Sequence, residues 1–244
     1  TSMQGFLPLL VGTGEQIYNT STGRWTGNTK GMRQVLQMYA DIYGDGLGNK
    51  DWQIAKDGRD QSFKAFAEGK VGILGEGDYG WRGVWNPATG AFPMATRNTT
   101  IGYAQFPAVT AGAGVNKQDF VSMSGGSGYV LNPNTRQAAW AWKLLTFMNS
   151  REAIQTSVAG AVRITQRNDV NAYINRSDPL MTFVSTKVMP TTFYRPADPN
   201  YNAVSVLLQK ASEDVVNGVS VTQAAATYQA ELVKLVGAAK VSSN

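Results

Sequence analysis

The sequence predicts an α/β protein, and three observations lead there. Segments with apolar residues at helical spacing alternate along the chain with short apolar runs of strand length. Few of these runs are joined by the two-residue turns that mark hairpins, which argues against an all-β architecture. No internal repeat is visible, and 244 residues suffice for one large or two modest domains with a sizeable core.

The elements follow in chain order. Residues 1–31 are turn-rich. The apolar run Phe6 to Val11 is far too short to cross a membrane and contains Pro8. The stretch from Tyr18 to Trp25 reads as a hairpin, two short arms around a Ser/Thr/Gly turn. Met32, Val35, Leu36, Tyr39, Ile42 and Tyr43 recur at helical spacing and predict a helix from Thr29 to Tyr43, ended by Gly44 and Gly46. Asp60 is expected to cap the next helix, with Phe63, Phe66 and Ala67 inward and Gly69 at its stop. Val71 to Leu74 then reads as a buried strand feeding a glycine loop, Gly75 to Trp81.

Residues 86–120 are irregular, with a strand expected from Ile101 to Phe106 and a glycine-rich hinge or crossover from Pro107 to Gln118. Ser122 to Gly128 leads into a strand at Tyr129, Val130 and Leu131. Ala138, Trp142, Leu145 and Met148 line one face of a helix, and core packing is the expectation for Trp142. Ser150 caps a shorter helix through Val158. Residues 160–200 are again loop-like. Val204, Leu207, Leu208, Ala211 and Val215 share one face of a helix that stops at Gly218. The last helix opens with a capping-box pattern from Ser220 to Gln223 and carries Ala225, Tyr228, Leu232 and Leu235.

Composition removes whole classes of chemistry. With 43% hydrophobic and 16% charged residues the chain has the make-up of a soluble globular protein. It has neither Cys nor His. That excludes Cys/His metal sites, thiol nucleophiles and histidine-based triads, so no metal or cofactor is expected. The net charge of +5 is dispersed without a basic stripe, which argues against a nucleic-acid partner. No basic n-region followed by an apolar h-region marks a signal peptide. Asn19, Asn98 and Asn175 begin glycosylation sequons, to which no role is assigned.

The candidate chemistry sits on the loop Gly75-Glu76-Gly77-Asp78-Tyr79-Gly80-Trp81. Its glycine spacing matches a dinucleotide fingerprint. That motif needs a helix straight after it and an acid about 20 residues on. Gly83 and Pro87 interrupt any helix, and Ala95 to Gln105 contains no acid. Aromatics beside carboxylates suit a polyhydroxylated ring, which has an apolar face and a polar rim. The competing roles are core packing for Tyr79, Trp81 and Trp85, and turn stabilisation for Glu76 and Asp78. Paired carboxylates also permit glycoside hydrolysis, so a hydrolase using Glu76 and Asp78 is the alternative function. Elsewhere, Gly125 and Gly126 suit a ligand approaching backbone or a lobe crossover. Arg163 suits a ligand donor or a solvated side chain. Tyr194, Arg195, Tyr201 and Asn202 lie in or beside a proline-rich loop held by rigid elements, a common setting for binding residues.

The order of these motifs resembles the C-terminal portion of the extracellular solute-binding proteins of ABC sugar importers, the maltose-binding-protein-like group. FKAFAEGKVGILGEGDYGW looks like that family's strand and aromatic loop. SGGSGYVLNPNTRQAAWAWKLLTFMNSREAIQ looks like its glycine crossover, strand and helix pair. GAVRITQRNDV corresponds to its glycine and arginine loop. VMPTTFYRPADPNYNAVSVLLQKASEDVVNGVSVTQAAATYQAEL looks like its C-terminal aromatic loop and last helices. The resemblance implies a type II periplasmic-binding-protein-like fold, apparently lacking the N-terminal part of the first lobe. Residues 1–115 and 190–244 would form the second lobe, and 120–185 a returning segment of the first. It implies a non-enzymatic protein that binds a mono- or oligosaccharide between lobes, with Tyr79 or Trp81 and Tyr201 stacking. Glu76, Asp78 and Asn202 would bond hydroxyls, and Gly125, Gly126 and Arg163 would face the cleft. A same-fold protein for a non-sugar solute, an anion or polyamine, is the further alternative. The implied partners are the saccharide and ABC permease membrane subunits. The full-length protein would be a monomer, placed in the periplasm or on the cell surface as a lipoprotein. This chain alone is expected to bind weakly, with half a cleft.

Overall fold

The computed structural model describes residues 3–125, 128–158 and 161–243. The chain divides into two compact units, Thr1–Ser124 with Phe193–Asn244 (unit 1) and Gly125–Thr192 (unit 2). In chain order unit 1 runs through α1 (Met3–Gly12), β1 (Tyr18–Asn19), β2 (Arg24–Thr26), α2 (Lys30–Gly44), α3 (Lys50–Ile54), α4 (Gly58–Ala67), α5 (Arg97–Thr100), β3 (Phe106–Pro107) and β4 (Phe120–Ser124). Unit 2 holds α6 (Ala138–Met148), α7 (Arg151–Ser157), α8 (Asn168–Ile174) and α9 (Pro179–Phe183). Unit 1 resumes within β5 (Thr192–Tyr194) and continues through α10 (Tyr201–Val216), α11 (Val221–Val236) and β6 (Val241–Ser242). The strands form two three-stranded sheets, ordered β1-β2-β6 and β3-β4-β5.

The main core lies among α1, α2, α10 and α11 around Trp25. Helix α1 occupies the stretch that the sequence reads as turn-rich. Pro8 sits inside it and removes a backbone donor, at a cost of about 3 kcal/mol in a helix interior. Phe6, Leu7, Leu10 and Val11 are all buried, and each is worth about 1.5–3 kcal/mol, so burial outweighs the break. The hairpin forms as expected, with Tyr18 opposite Trp25. Asn19 Oδ1 accepts from the Ser21 and Thr22 N–H groups and so builds the turn. In the same sheet β6 pairs parallel to β2, setting Val241 opposite Trp25.

Helix α2 is capped twice. The Thr29 side chain accepts from Met32 N–H, and the Glu15 carboxylate accepts from Gly31 N–H at 2.9 Å and from the Thr29 hydroxyl. A Cβ on Gly31 would stand 2.6 Å from the Glu15 carboxyl carbon, so this position has no room for a side chain. Helix α11 starts at Ser220, which accepts from Gln223 N–H. The Gln223 side chain turns to Thr227, so only half of the capping box forms. Fully buried Tyr228 donates its hydroxyl to the Thr26 carbonyl at 3.0 Å, and burial pushes its ionisation far up.

Several expected elements change. Val71 to Leu74 joins no ladder and Ile73 is 92% exposed, so the buried strand is not formed. Tyr129 to Leu131 is likewise not a strand, with Val130 90% exposed. A strand needs a neighbour for its backbone, and among the described residues none pairs with either run. The strand expected from Ile101 to Phe106 contracts to β3, preceded by the short helix α5. Helix α4 begins after Asp57, and Asp60 lies inside its first turn, where a carboxylate favours the helix dipole.

In unit 2, Ile154, Val158 and Val170 form a small core with Ile174 against it. Two asparagines one turn apart, Asn171 on α8 and Asn175 at its C-cap, pin the preceding loop. Asn175 bonds both the N–H and the carbonyl of Arg163, and Asn171 does the same for Thr165. Asn175 is 1% exposed, so its sequon is closed to modification in the folded chain. Core packing of Trp142 is overturned: it is 60% exposed, and no residue of α6 is buried.

Candidate functional site

The loop after residue 74 lacks strand pairing, and its side chains fix it instead. From α4, Arg59 donates through Nε and Nη2 to the two oxygens of Glu76, at 2.9 and 2.8 Å, a bidentate pair. Glu76 Oε1 also accepts from Gly77 N–H. This hydrogen bond to Glu76 raises the Arg59 pKa, against the opposing effect of partial burial. One helical turn beyond Asp78, Arg82 donates Nε to Asp78 Oδ2 at 2.7 Å. Both carboxylates of the loop are therefore engaged by arginines.

The two guanidiniums converge on Tyr79. The carbon of each lies 5.7 Å from the Tyr79 ring centroid, within cation–π range. Arg59 also lies 5.1 Å from the ring of Phe63, a core residue. Tyr79 is 48% exposed and leads into a π-helical turn, Gly80–Val84. A Cβ on Gly83 would come within 3.0 Å of the Tyr79 ring, and one on Gly80 within 2.7 Å of the Trp85 ring. Gly80 and Gly83 thus serve aromatic packing, and a Cβ on Gly75 would stand 3.1 Å from the Phe106 ring, whereas one on Gly77 would meet nothing within 4 Å.

The loop's aromatics thus part ways. Tyr79 presents its ring to solvent, whereas Trp81 is 3% exposed, with the Arg97 guanidinium 4.4 Å from its centroid and donating to its carbonyl. The ring of Trp81, expected alongside Tyr79 as a stacking surface, is covered by neighbouring groups. Trp85 is core as well, its indole N–H donating to the Phe63 carbonyl at 3.1 Å.

The remaining expected residues lie elsewhere. Tyr201 opens α10 and packs against the main core. Burial raises its phenol pKa against the opposing charge of Arg195, and its buried oxygen has no hydrogen-bond partner among the described residues. Asn202 beside it is exposed. Gly125 is exposed after β4, and Gly126 lies outside the described residues. Arg163 is exposed, and Asn175 secures its backbone, not its guanidinium. The structure therefore brings Glu76, Asp78 and Tyr79 together. No hydrogen bond or ring contact among the described residues joins Tyr79 to Tyr201. A hollow of about 190 Å³ in unit 1 is lined by Leu7, Val11, Ile17 and Met123 and by Tyr194 and Arg195 of the proline-rich loop, but by none of Glu76, Asp78, Tyr79, Tyr201 and Asn202. It falls below the roughly 300 Å³ of typical ligand pockets.

Sequence reasoning missed Arg59, Arg82 and Arg97. The Asp78–Arg82 pair was readable, being four residues apart. Arg59 and Arg97 act over 17 and 16 residues, and no local pattern signals them.

The chain is similar to a solved structure described as the maltose/maltodextrin-binding domain MalE from Bdellovibrio bacteriovorus bound to maltotriose, with 20% identity and a TM-score of 0.62. The match covers 94% of this chain and 56% of that one, so the chain spans little more than half the length of its structural relative. The likeness shows the fold, the type II periplasmic-binding-protein arrangement. No curated protein sequence matches the chain. The family model for bacterial extracellular solute-binding proteins matches residues 4–155, more than half of the sequence. The chain belongs to the bacterial extracellular solute-binding protein family.

Proposed function

We propose that this chain is part of the substrate-binding component of an ABC importer and that it takes a neutral mono- or oligosaccharide. The observation that carries the reading is Tyr79, an aromatic ring half open to solvent on a loop whose other aromatics are buried. A sugar's C–H face stacks on such a ring, and its hydroxyls bond to the polar groups around it. Charge supports a neutral solute: Glu76 and Asp78 are each matched by an arginine, so the rim offers no net charge to an anion or a polyamine. The maltotriose in the structural relative agrees with an oligosaccharide.

The same pairs weigh against the hydrolase alternative. Acid–base cleavage needs carboxylate oxygens aimed at the glycosidic bond. Both oxygens of Glu76 face Arg59. The protein is read as non-enzymatic, extracytoplasmic (periplasmic or anchored at the cell surface as a lipoprotein), monomeric when full length, and a partner of ABC permease subunits. Unit 1 is assigned to the second lobe and unit 2 to a returning part of the first. The exposed apolar helix α6 supports that assignment, because a helix apolar on all sides belongs in a core completed by other polypeptide.

The test is an NMR titration of the isotope-labelled chain with maltotriose. The expected result is weak, millimolar-range binding, with shifts concentrated in residues 75–83 and lost in Tyr79→Ala. Shifts that bypass this loop would overturn the reading of Tyr79 as a platform.

A further inference from the structure

We propose that Arg59 is the positioning residue of the Tyr79 platform. The proposal rests on the saccharide reading only for what the platform does. Little else ties residues 76–79 to distant parts of the chain. Residues 71–78 join no strand ladder, and Gly75 and Gly77 leave the backbone between them freer than other residues would. Among the described residues, the other polar contacts of residues 76–79 stay within four residues: Glu76 to Gly77, Gly77 to Gly80 and Asp78 to Arg82. Packing holds the ends of the loop, Leu74 against the core of Phe63, Val84 and Trp85 and Trp81 buried beneath Arg97, and local contacts leave the place of residues 76–79 between them open.

Arg59 supplies that place. It belongs to α4, which is set by Phe63 in the core beside Val84 and Trp85. Its guanidinium lies near the Phe63 ring, grips both oxygens of Glu76 and reaches Tyr79. The Glu76 side chain is only 10% exposed, so the pair is shielded on the carboxylate side and held more firmly than a fully solvated one. A planar fork that bonds two oxygens at once also sets orientation, which a lysine cannot reproduce. The line of contact therefore runs from core Phe63 through Arg59 to the exposed ring, and binding improves when the ring is held in place beforehand.

The experiment has one arm without ligand and one with it. In the first, hydrogen exchange is followed in the 244-residue chain for Arg59→Ala, Arg59→Lys and the charge swap Arg59→Glu with Glu76→Arg. Arg59→Ala is expected to speed exchange at residues 75–80 by roughly tenfold or more, the scale of a lost charged hydrogen bond, and to leave α2, α10 and α11 unchanged. Arg59→Lys is expected to fall between, and the swap to recover protection. Unchanged exchange at 75–80 in Arg59→Ala would overturn the proposal. If Arg59→Ala fails to fold, Arg59→Lys and the swap decide alone, and wild-type exchange in Arg59→Lys overturns it. In the second arm, maltotriose affinity is measured for Arg59→Ala in wild-type and Tyr79→Ala backgrounds. A loss confined to the wild-type background supports action through Tyr79, and an equal loss in both overturns it. If maltotriose binds no variant, the saccharide reading falls and the exchange arm alone decides the role of Arg59.

Discussion

The two units treat the same residue types in opposite ways. In unit 1, Trp25 is 1% exposed at the centre of a core built from four helices and a small sheet. In unit 2, Trp140 and Trp142 are 68% and 60% exposed on a helix with no buried residue. The difference does not lie in hydrophobicity, because α6 is the more apolar of the two settings: its single charge, Lys143, lies over Trp140. It lies in partners. Helices α2, α10 and α11 each carry an apolar stripe that meets another stripe within unit 1. Helix α6 is apolar on several faces and meets too few surfaces to cover them. Burial is a property of pairs of surfaces, and a sequence pattern describes only one member of each pair.

That contrast can be broken by mutation. Trp25→Ala should cost about 3–5 kcal/mol, measured by urea unfolding, because it opens a cavity in a packed core. A cost below 1 kcal/mol would show that Trp25 is not tightly packed in the unit 1 core. Alkali should act on the same core. Burial raises the Tyr228 pKa above its unfolded value, so its contribution is complete below about pH 10 and lost progressively above it. Tyr228→Phe should flatten that alkaline loss in a pH series of melting temperatures, and an unchanged slope would count against it.

Unit 2 depends more on polar ties. Asn175→Ala removes both bonds to Arg163 and should destabilise unit 2 by about 1–3 kcal/mol, read from hydrogen exchange in residues 161–175. Unit 1 should be unaffected, and equal loss of protection in both would show that the units do not unfold separately. Glu15→Ala should cost about 1 kcal/mol, as loss of a helix cap does, with the effect centred on α2. Trp142→Ala should fall within about 0.5 kcal/mol of wild type in the same unfolding assay. A larger cost would mean that the exposed helix packs against something in solution.

Much of unit 1 was legible from periodicity. The spacing of Met32, Val35 and Leu36, and of Val204, Leu208 and Ala211, foretold which faces are buried. The hairpin at Tyr18 and Trp25 and the caps at Ser150 and Ser220 were readable because their bonds span few residues. Helix α1 was not, because Pro8 reads as a break and only contacts from distant helices reveal its worth. At the site, the loop and Tyr79 were found by composition. The choice between Tyr79 and Trp81 was beyond it, because both follow glycine-rich sequence and only their burial in the folded chain, 48% against 3% exposed, separates them.

The sequence by itself determined the helical faces, the local caps, the absence of histidine and cysteine chemistry, and the loop that carries two carboxylates among aromatics. These depend on residues close along the chain or on composition alone. Only the tertiary structure decided that Glu76 is taken up by Arg59, that Tyr79 is open and Trp81 closed, and that Val71 to Leu74 lacks a strand partner. The physical reason is common to the contacts that reach far along the chain. An ion pair across 17 residues, a ring covered from another element and a ladder bond each need two distant segments to meet.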